Sequence, residues 1–146
     1  MKILIFGHSG SGKSTLAKPL SELINGVWLN ADAVRNKYRD WDFSETGRLN
    51  QANRMRYLAD GVEAAGSVAV IDFIAPTLIT RKIVNPDFVI WMDTIKESKF
   101  EDTNALFEPP NRNNEQVDYH VKKWFDDTHL QLLDVVKSYM VNNNSS

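Results

Sequence analysis

Gly7-His8-Ser9-Gly10-Ser11-Gly12-Lys13-Ser14 is the stretch on which the fold of this chain turns. It satisfies G-x-x-x-x-G-K-[ST] in full, and its flanks agree with it. Ile3-Leu4-Ile5-Phe6 is a short apolar run suited to a buried strand, and a helix-compatible segment follows the loop. The residue types have physical reasons. Glycine lets successive backbone N–H groups close around phosphate oxygens with no Cβ in the way. A helix starting near Lys13 turns the positive end of its dipole toward the same point. Lys13 has the reach for β- and γ-phosphates, and the Ser14 hydroxyl is a ligand type for Mg²⁺. The expected ATP-binding residues are therefore Gly7, His8, Ser9, Gly10, Ser11, Gly12, Lys13, Ser14 and Thr15, with Lys13 also catalytic.

The whole chain narrows the alternatives. Its 146 residues suffice for one domain with a substantial core. Apolar content of 42% and charged content of 25% are those of an ordinary globular protein. A net charge of −2 provides no basic field for nucleic acid or an anionic membrane. No cysteine is present, which excludes thiol catalysis, disulfides and cysteine-ligated zinc. His8, His120 and His129 lack metal-binding spacing. The apolar run after Met1-Lys2 is too short for a signal peptide, and no later run spans a bilayer, so a cytoplasmic enzyme is expected.

Further along, a helix is expected from about Lys13 to Asn25, with Leu16, Leu20, Leu23 and Ile24 inward and Pro19 bending it. Val27–Leu29 reads as a strand and Ala31–Arg39 as a short helix. A long helix over about 46–65 carries Leu49, Ala52, Met55, Leu58, Val62 and Ala65 at spacings of three and four. Val68–Ile71 and Phe88–Met92 are apolar strands, with a helix over about 77–84 between them. Residues 96–116 are charged and Asn-rich around Pro109-Pro110, which reads as a mobile lid. Val117–Val121 alternates like a fifth strand. Trp124, Phe125, Leu132, Leu133, Val136 and Met140 mark a closing helix, and 142–146 is a polar tail. Strands alternating with helices behind a phosphate loop give one three-layer α/β domain over 1–141, a P-loop NTPase fold with a mainly parallel five-stranded sheet.

Ligands of such sheets gather at the carboxyl ends of the strands. Asp32 and Arg35 follow the second strand one helical turn apart. Asp32 reads equally as a carboxylate facing an acceptor or as the cap of the short helix. Asp72 closes the third strand, as a Mg²⁺ carboxylate does and as many loop carboxylates do. Trp41 and Phe43 read as base-stacking rings or as loop anchors. Arg48 and Gln51, at i and i+3, share a helix face that is either a binding face or a solvated helix end.

Taken in order, Ser9-Gly10-Ser11-Gly12-Lys13-Ser14-Thr15-Leu16-Ala17, Leu29–Arg35, Phe43-Ser44-Glu45-x-x-Arg48 and Phe73-Ile74-Ala75-Pro76 resemble adenylylsulfate kinase. That P-loop enzyme phosphorylates the ribose 3′-hydroxyl of adenosine 5′-phosphosulfate (APS), and the resemblance runs from residue 3 to about 107. It implies ATP and APS as small-molecule substrates, Mg²⁺ bound with ATP, a place in sulfate assimilation, and a homodimer as a candidate assembly. By the same resemblance Asp32 stands beside the acceptor hydroxyl as a catalytic residue. Arg35 and Arg48 hold the phosphosulfate, Phe43 stacks on adenine, and Gln51 and Ile74 complete the substrate pocket. Ser14 and Asp72 are the expected metal residues.

The chain departs from the family pattern in named places. The family's Asp-Gly-Asp is Asn30-Ala31-Asp32, its Phe-Ile-Ser-Pro is Phe73-Ile74-Ala75-Pro76, and the lid arginine is replaced by Glu101, with Lys99 and Arg112 as substitutes to inspect. The rival readings are a P-loop kinase for another alcohol and a nucleotide-binding switch without turnover. Against a GTPase, Asn36-Lys37-Tyr38-Arg39 lacks the aspartate that reads guanine.

Overall fold

Alternation along the first strand divides the core in two. In the computed structural model, which describes residues 1–111 and 113–144, β1 (Lys2–Phe6) turns Ile3 and Ile5 to one side of the sheet and Leu4 and Phe6 to the other. All four side chains are fully buried, as expected of a strand covered on both faces. β1 pairs with β3 (Ala69–Asp72) on one side and β4 (Phe88–Met92) on the other. β2 (Val27–Asn30) and β5 (Tyr119–Val121) form the edges, giving the order β2-β3-β1-β4-β5. Every pairing among these strands is parallel.

Helices α1 (Lys13–Leu23) and α6 (Thr128–Asn144) pack together on the Ile3/Ile5 side. On the Leu4/Phe6 side lie α2 (Ala31–Tyr38), α3 (Glu45–Ala64) and α4 (Leu78–Val84). The three layers are thus in place. No helix among the described residues is long and apolar enough to cross a membrane.

Pro19 lies within α1, where the sequence places it, and its missing N–H leaves the Thr15 carbonyl without a helical donor. Several other local expectations shift. Leu16 and Leu20 face the core, but Leu23 is 44% exposed because β2 is an edge strand and nothing covers that last turn. In α3 the buried stripe is Gln51, Ala52, Met55 and Ala59, with Leu58 and Val62 at its margin. Ala65 is the exposed C-cap. Trp124 and Phe125 precede α6 instead of belonging to it, and the Phe125 ring stays exposed.

The 96–116 segment is more structured than its composition predicts. Glu101–Leu106 forms α5, and Phe107 packs beside His8 with ring centroids 4.3 Å apart. The Glu108 N–H donates to the Pro76 carbonyl at 2.7 Å, and Arg81 donates to the Glu108 carbonyl at 2.8 Å and pairs with Glu115. The ring and these polar contacts together anchor the second half. Arg112, a candidate replacement for the lid arginine, lies outside the described residues, as do Ser145 and Ser146. Lys99 sits over the ring of its neighbour Phe100.

The two leucines of α1 provide a stability test. Leu20→Ala is expected to lower unfolding free energy by about 2–5 kcal/mol, because it empties a filled site between α1 and the sheet. Leu23→Ala should change it by no more than about 0.5 kcal/mol. Equal losses for the two in urea titrations would contradict this packing.

Candidate active site

Between β1 and α1 the chain makes a tight loop over the end of β4. Gly7 has φ of 151°, and a Cβ there would collide with the Met92 carbonyl oxygen, so only glycine fits. Gly12, at φ of 99°, caps α1 without a side-chain acceptor. The first amides of that helix are therefore free for an anion. Thr94 Oγ1 donates to the Ser11 carbonyl at 2.6 Å and pins the loop to the strand end. Lys13 Nζ donates to the His8 carbonyl at 2.9 Å. Burial pushes the Lys13 ammonium below its ordinary value, against the opposing pull of Asp72 and Asp32.

Sheet register then brings distant residues to the loop. Asn30 ends β2 opposite Asp72, which ends β3, and Asp72 in turn lies opposite Ile5 of β1. Ser14 Oγ, in the first turn of α1, donates to Asp72 Oδ2 at 2.7 Å. Asn30 Nδ2 donates to the same oxygen at 2.9 Å, and Trp28 Nε1 does so at 3.2 Å. Asn30 Oδ1 meanwhile accepts from the Ala33 N–H at 2.8 Å. The N-cap of α2 is therefore Asn30, which leaves Asp32 in the first turn with its carboxylate exposed.

The far wall is built around Phe43, which is 50% exposed. The Arg35 guanidinium lies 4.3 Å from the centre of its ring and that of Arg48 lies 5.5 Å from it. Arg35 is buried; its Nη1 donates to the carbonyls of Asp40 and Asp42 at 3.0 and 3.1 Å. Burial lowers its affinity for the proton, offset chiefly by Asp40, and an arginine so placed remains charged. Arg48 Nε donates to the Phe43 carbonyl at 2.8 Å. Arg54 completes the loop by pairing with Asp40 at 2.8 Å. Gly47 is required here, since a Cβ would strike the Asp42 carbonyl.

These walls enclose a cavity of about 280 Å³. Its lining includes Ser9, Gly10, Gly12, Lys13, Ser14 and Thr15 from the phosphate loop, and Asp32, Arg35, Phe43, Arg48, Asp72 and Ile74 from elsewhere. Gly7, His8 and Ser11 are not part of that lining. The His8 and Ser11 side chains are buried beneath the loop. Gln51 does not reach the cavity either, contrary to its expected contact with substrate. It is fully buried behind α2, donating to the Ala31 carbonyl at 3.0 Å and accepting from Arg54 at 2.8 Å. Sequence spacing put Gln51 on the face of Arg48 but carried no sign of that packing. Asn30, Trp28, Arg54 and Arg81 were also missed as structural partners. Only Asn30, a strong N-cap type just before a helix, left a readable signal.

The adenylylsulphate kinase family model matches residues 1–97, more than half of the chain. No curated protein sequence matches it. Among solved structures, the Mycobacterium tuberculosis APS kinase in complex with AMPPNP and APS superposes with a TM-score of 0.73 at 18% identity, over 93% of this chain and 96% of that one. A hexameric APS kinase from Thiobacillus denitrificans gives 0.73 at 22% identity, over 94% of this chain but 29% of that one. A gluconokinase from Sinorhizobium meliloti gives 0.64 at 14%, over 97% and 96%. At these identities the structures establish the shared fold.

The buried loop histidine yields a pH test. Burial, with Lys13 as the next cause, holds the His8 imidazole below its ordinary value, while Asp93 and Glu97 pull the other way. The unfolded chain, titrating near 6.5, then binds the extra proton first, so folding stability drops as pH falls below about 6.5. His8→Gln is expected to flatten that part of the stability curve in urea titrations run at several pH values. Parallel curves for the two proteins would show that His8 is not held neutral.

Proposed function

The chain belongs to the adenylylsulphate kinase family, and from that premise we propose that it transfers the γ-phosphoryl group of ATP to the 3′-hydroxyl of APS, in the cytoplasm and in the service of sulfate assimilation. It is an ATP-dependent phosphotransferase with a P-loop kinase fold. The observation that carries the choice of acceptor is the single cavity that sets Lys13 and Ser14 on one wall, Arg35, Phe43 and Arg48 on another, and the Asp32 carboxylate between them.

Phosphoryl transfer requires alignment and neutralised charge more than covalent participation by the protein. In the proposed reaction the open amides at the start of α1 and the Lys13 ammonium hold the β- and γ-phosphates. Asp32 accepts the proton of the 3′-hydroxyl as that oxygen attacks the γ-phosphorus. The bond from the γ-phosphorus to the bridging oxygen breaks, and ADP leaves with the electron pair. Arg48 and the remaining N–H groups of Arg35 grip the phosphosulfate, with the Phe43 ring and Ile74 as apolar walls for the nucleoside.

Magnesium fits the residues present. Ser14 and Asp72 offer two hard oxygen donors in mutual contact at 2.7 Å, a sparse set of the kind Mg²⁺ uses when phosphates and water complete its shell. When bound it would neutralise charge on the phosphate oxygens. Residues 1–141 would act as one kinase domain, with 96–106 closing over the donor about the anchor at Phe107. Closure would exclude water and so protect ATP from hydrolysis.

A second acceptor class has its own support. Ala75 stands where the family has serine and Glu101 where it has arginine, and kinases of gluconate and shikimate share the fold. ATP labelled at the γ-phosphate should therefore be offered with APS, gluconate and shikimate in parallel. Label on the 3′-oxygen of APS is expected. Label only on another alcohol would leave the family right and the substrate wrong. Lys13→Ala should abolish most transfer in a protein that still folds. Asp32→Asn should slow it by about 10²–10⁴-fold with affinities little changed. Arg48→Ala should raise the APS requirement and spare that for ATP.

Hydrogen exchange tests the closing segment. Protection over 96–106 is expected to rise only when donor and acceptor are both bound, and identical exchange in free and bound protein would remove the lid role.

A further inference from the structure

One oxygen in the site is unusually well supplied with donors. Asp72 Oδ2 accepts from Ser14 Oγ, Asn30 Nδ2 and Trp28 Nε1 at 2.7, 2.9 and 3.2 Å. Asp72 Oδ1 makes no hydrogen bond among the described residues, and Asp72 lines the cavity. The arrangement follows from strand periodicity. Trp28 and Asn30 are two residues apart on β2 and so share a face, with Trp28 opposite Val70 and Asn30 opposite Asp72. Val70 belongs to the core on the α1 side, the side from which Ser14 reaches the same carboxylate.

Trp28 is 37% exposed on an edge strand, where packing alone gives a large ring little reason to settle, yet its N–H is directed at a buried carboxylate. Asn30 does three things with one amide. Its oxygen caps α2, while its nitrogen donates to Asp72 and also lies 3.3 Å from Ser14 Oγ. Aspartate, the residue this position carries in the family, can cap the helix equally well but has no N–H to give and would repel Asp72. The substitution thus turns a second acid into a donor.

We propose that Asn30 and Trp28 are positioning residues: an amide and an indole that saturate Asp72 Oδ2, fix the turn of its carboxylate, and keep Oδ1 available to a nucleotide-bound divalent cation. The chemistry explains why the orientation matters. A hydroxyl that offers a lone pair to a cation must send its proton to an acceptor, and Asp72 Oδ2 is the acceptor for Ser14. Partners behind metal-facing groups of this kind set affinity through orientation. The clamp rests on Ser14 and Asp72 being the magnesium-facing pair of the proposed function; it is independent of which alcohol is phosphorylated.

Two conservative variants test it. Asn30→Ser keeps a strong helix cap but falls short of Asp72, and Trp28→Phe keeps an aromatic ring but removes the N–H. Manganese binding to the full-length protein saturated with ADP is followed by electron paramagnetic resonance. Each variant is expected to bind Mn²⁺ about 10-fold more weakly, with kcat reduced by a similar factor. The acceptor KM and the thermal midpoint should stay close to wild type. Wild-type Mn²⁺ affinity in both variants would overturn the clamp. So would a raised acceptor KM in Asn30→Ser at unchanged Mn²⁺ affinity, which would assign the lost amide to the acceptor instead of to Asp72. Asp72→Asn separates the two levels. If it too binds Mn²⁺ normally, the metal-facing pair fails and the clamp with it; if it alone is weakened, only the clamp fails.

Discussion

Uniform strand direction is the constraint from which the site follows. With β1 paired in parallel to β3 and β4, and β2 and β5 added in the same sense, all five carboxyl ends meet at one edge. Parallel strands in the middle of such a sheet need apolar cover on both faces. That requirement places α1 with α6 on one side and α2, α3 and α4 on the other, and each strand hands over to its following segment at the same edge. Ser14, Asn30 and Asp72 are far apart in the chain, yet they converge because register leaves them nowhere else to go.

Two buried arginines, Arg35 and Arg81, serve the same end in different places. A guanidinium removed from water has to be resolvated by the protein, and both are resolvated largely by backbone carbonyls. Arg35 takes those of Asp40 and Asp42, which folds the 40–44 loop against the cavity. Arg81 takes those of Ala75 and Glu108, with Glu115 as counter-charge. These loops are organised before any ligand arrives, which lowers the entropy cost of binding.

What could be read in the sequence was what is local. The phosphate loop is contiguous, and the apolar runs of β1, β3 and β4 state their burial directly, so the fold class and most element boundaries followed. Residues whose role depends on what packs against them were read less well. Leu23 obeys the helical period but faces uncovered space beside an edge strand. Gln51 has the spacing of a pocket residue, yet a neighbouring carbonyl and Arg54 claim its amide. Whether Asp32 capped α2 could not be settled from type alone, because Asn30, two positions earlier, caps equally well and wins. In 96–116 the polar composition hid the contacts that hold its second half to the body, the Phe107 ring beside His8 and the grip of Arg81 on the Glu108 carbonyl and on Glu115.

Ala75 combines a left-handed backbone, φ 42°, with complete burial and a proline behind it, and its carbonyl is held by Arg81. An alanine in that region is strained by roughly 1–2 kcal/mol, sustained only while its surroundings insist on it. The same Arg81 grips the Glu108 carbonyl. The cavity wall at Ile74 and the turn that follows α5 therefore hang from one post. A displacement at residues 107–108 is therefore coupled to the bent backbone at Ala75 through a single side chain, with no element of the sheet between them.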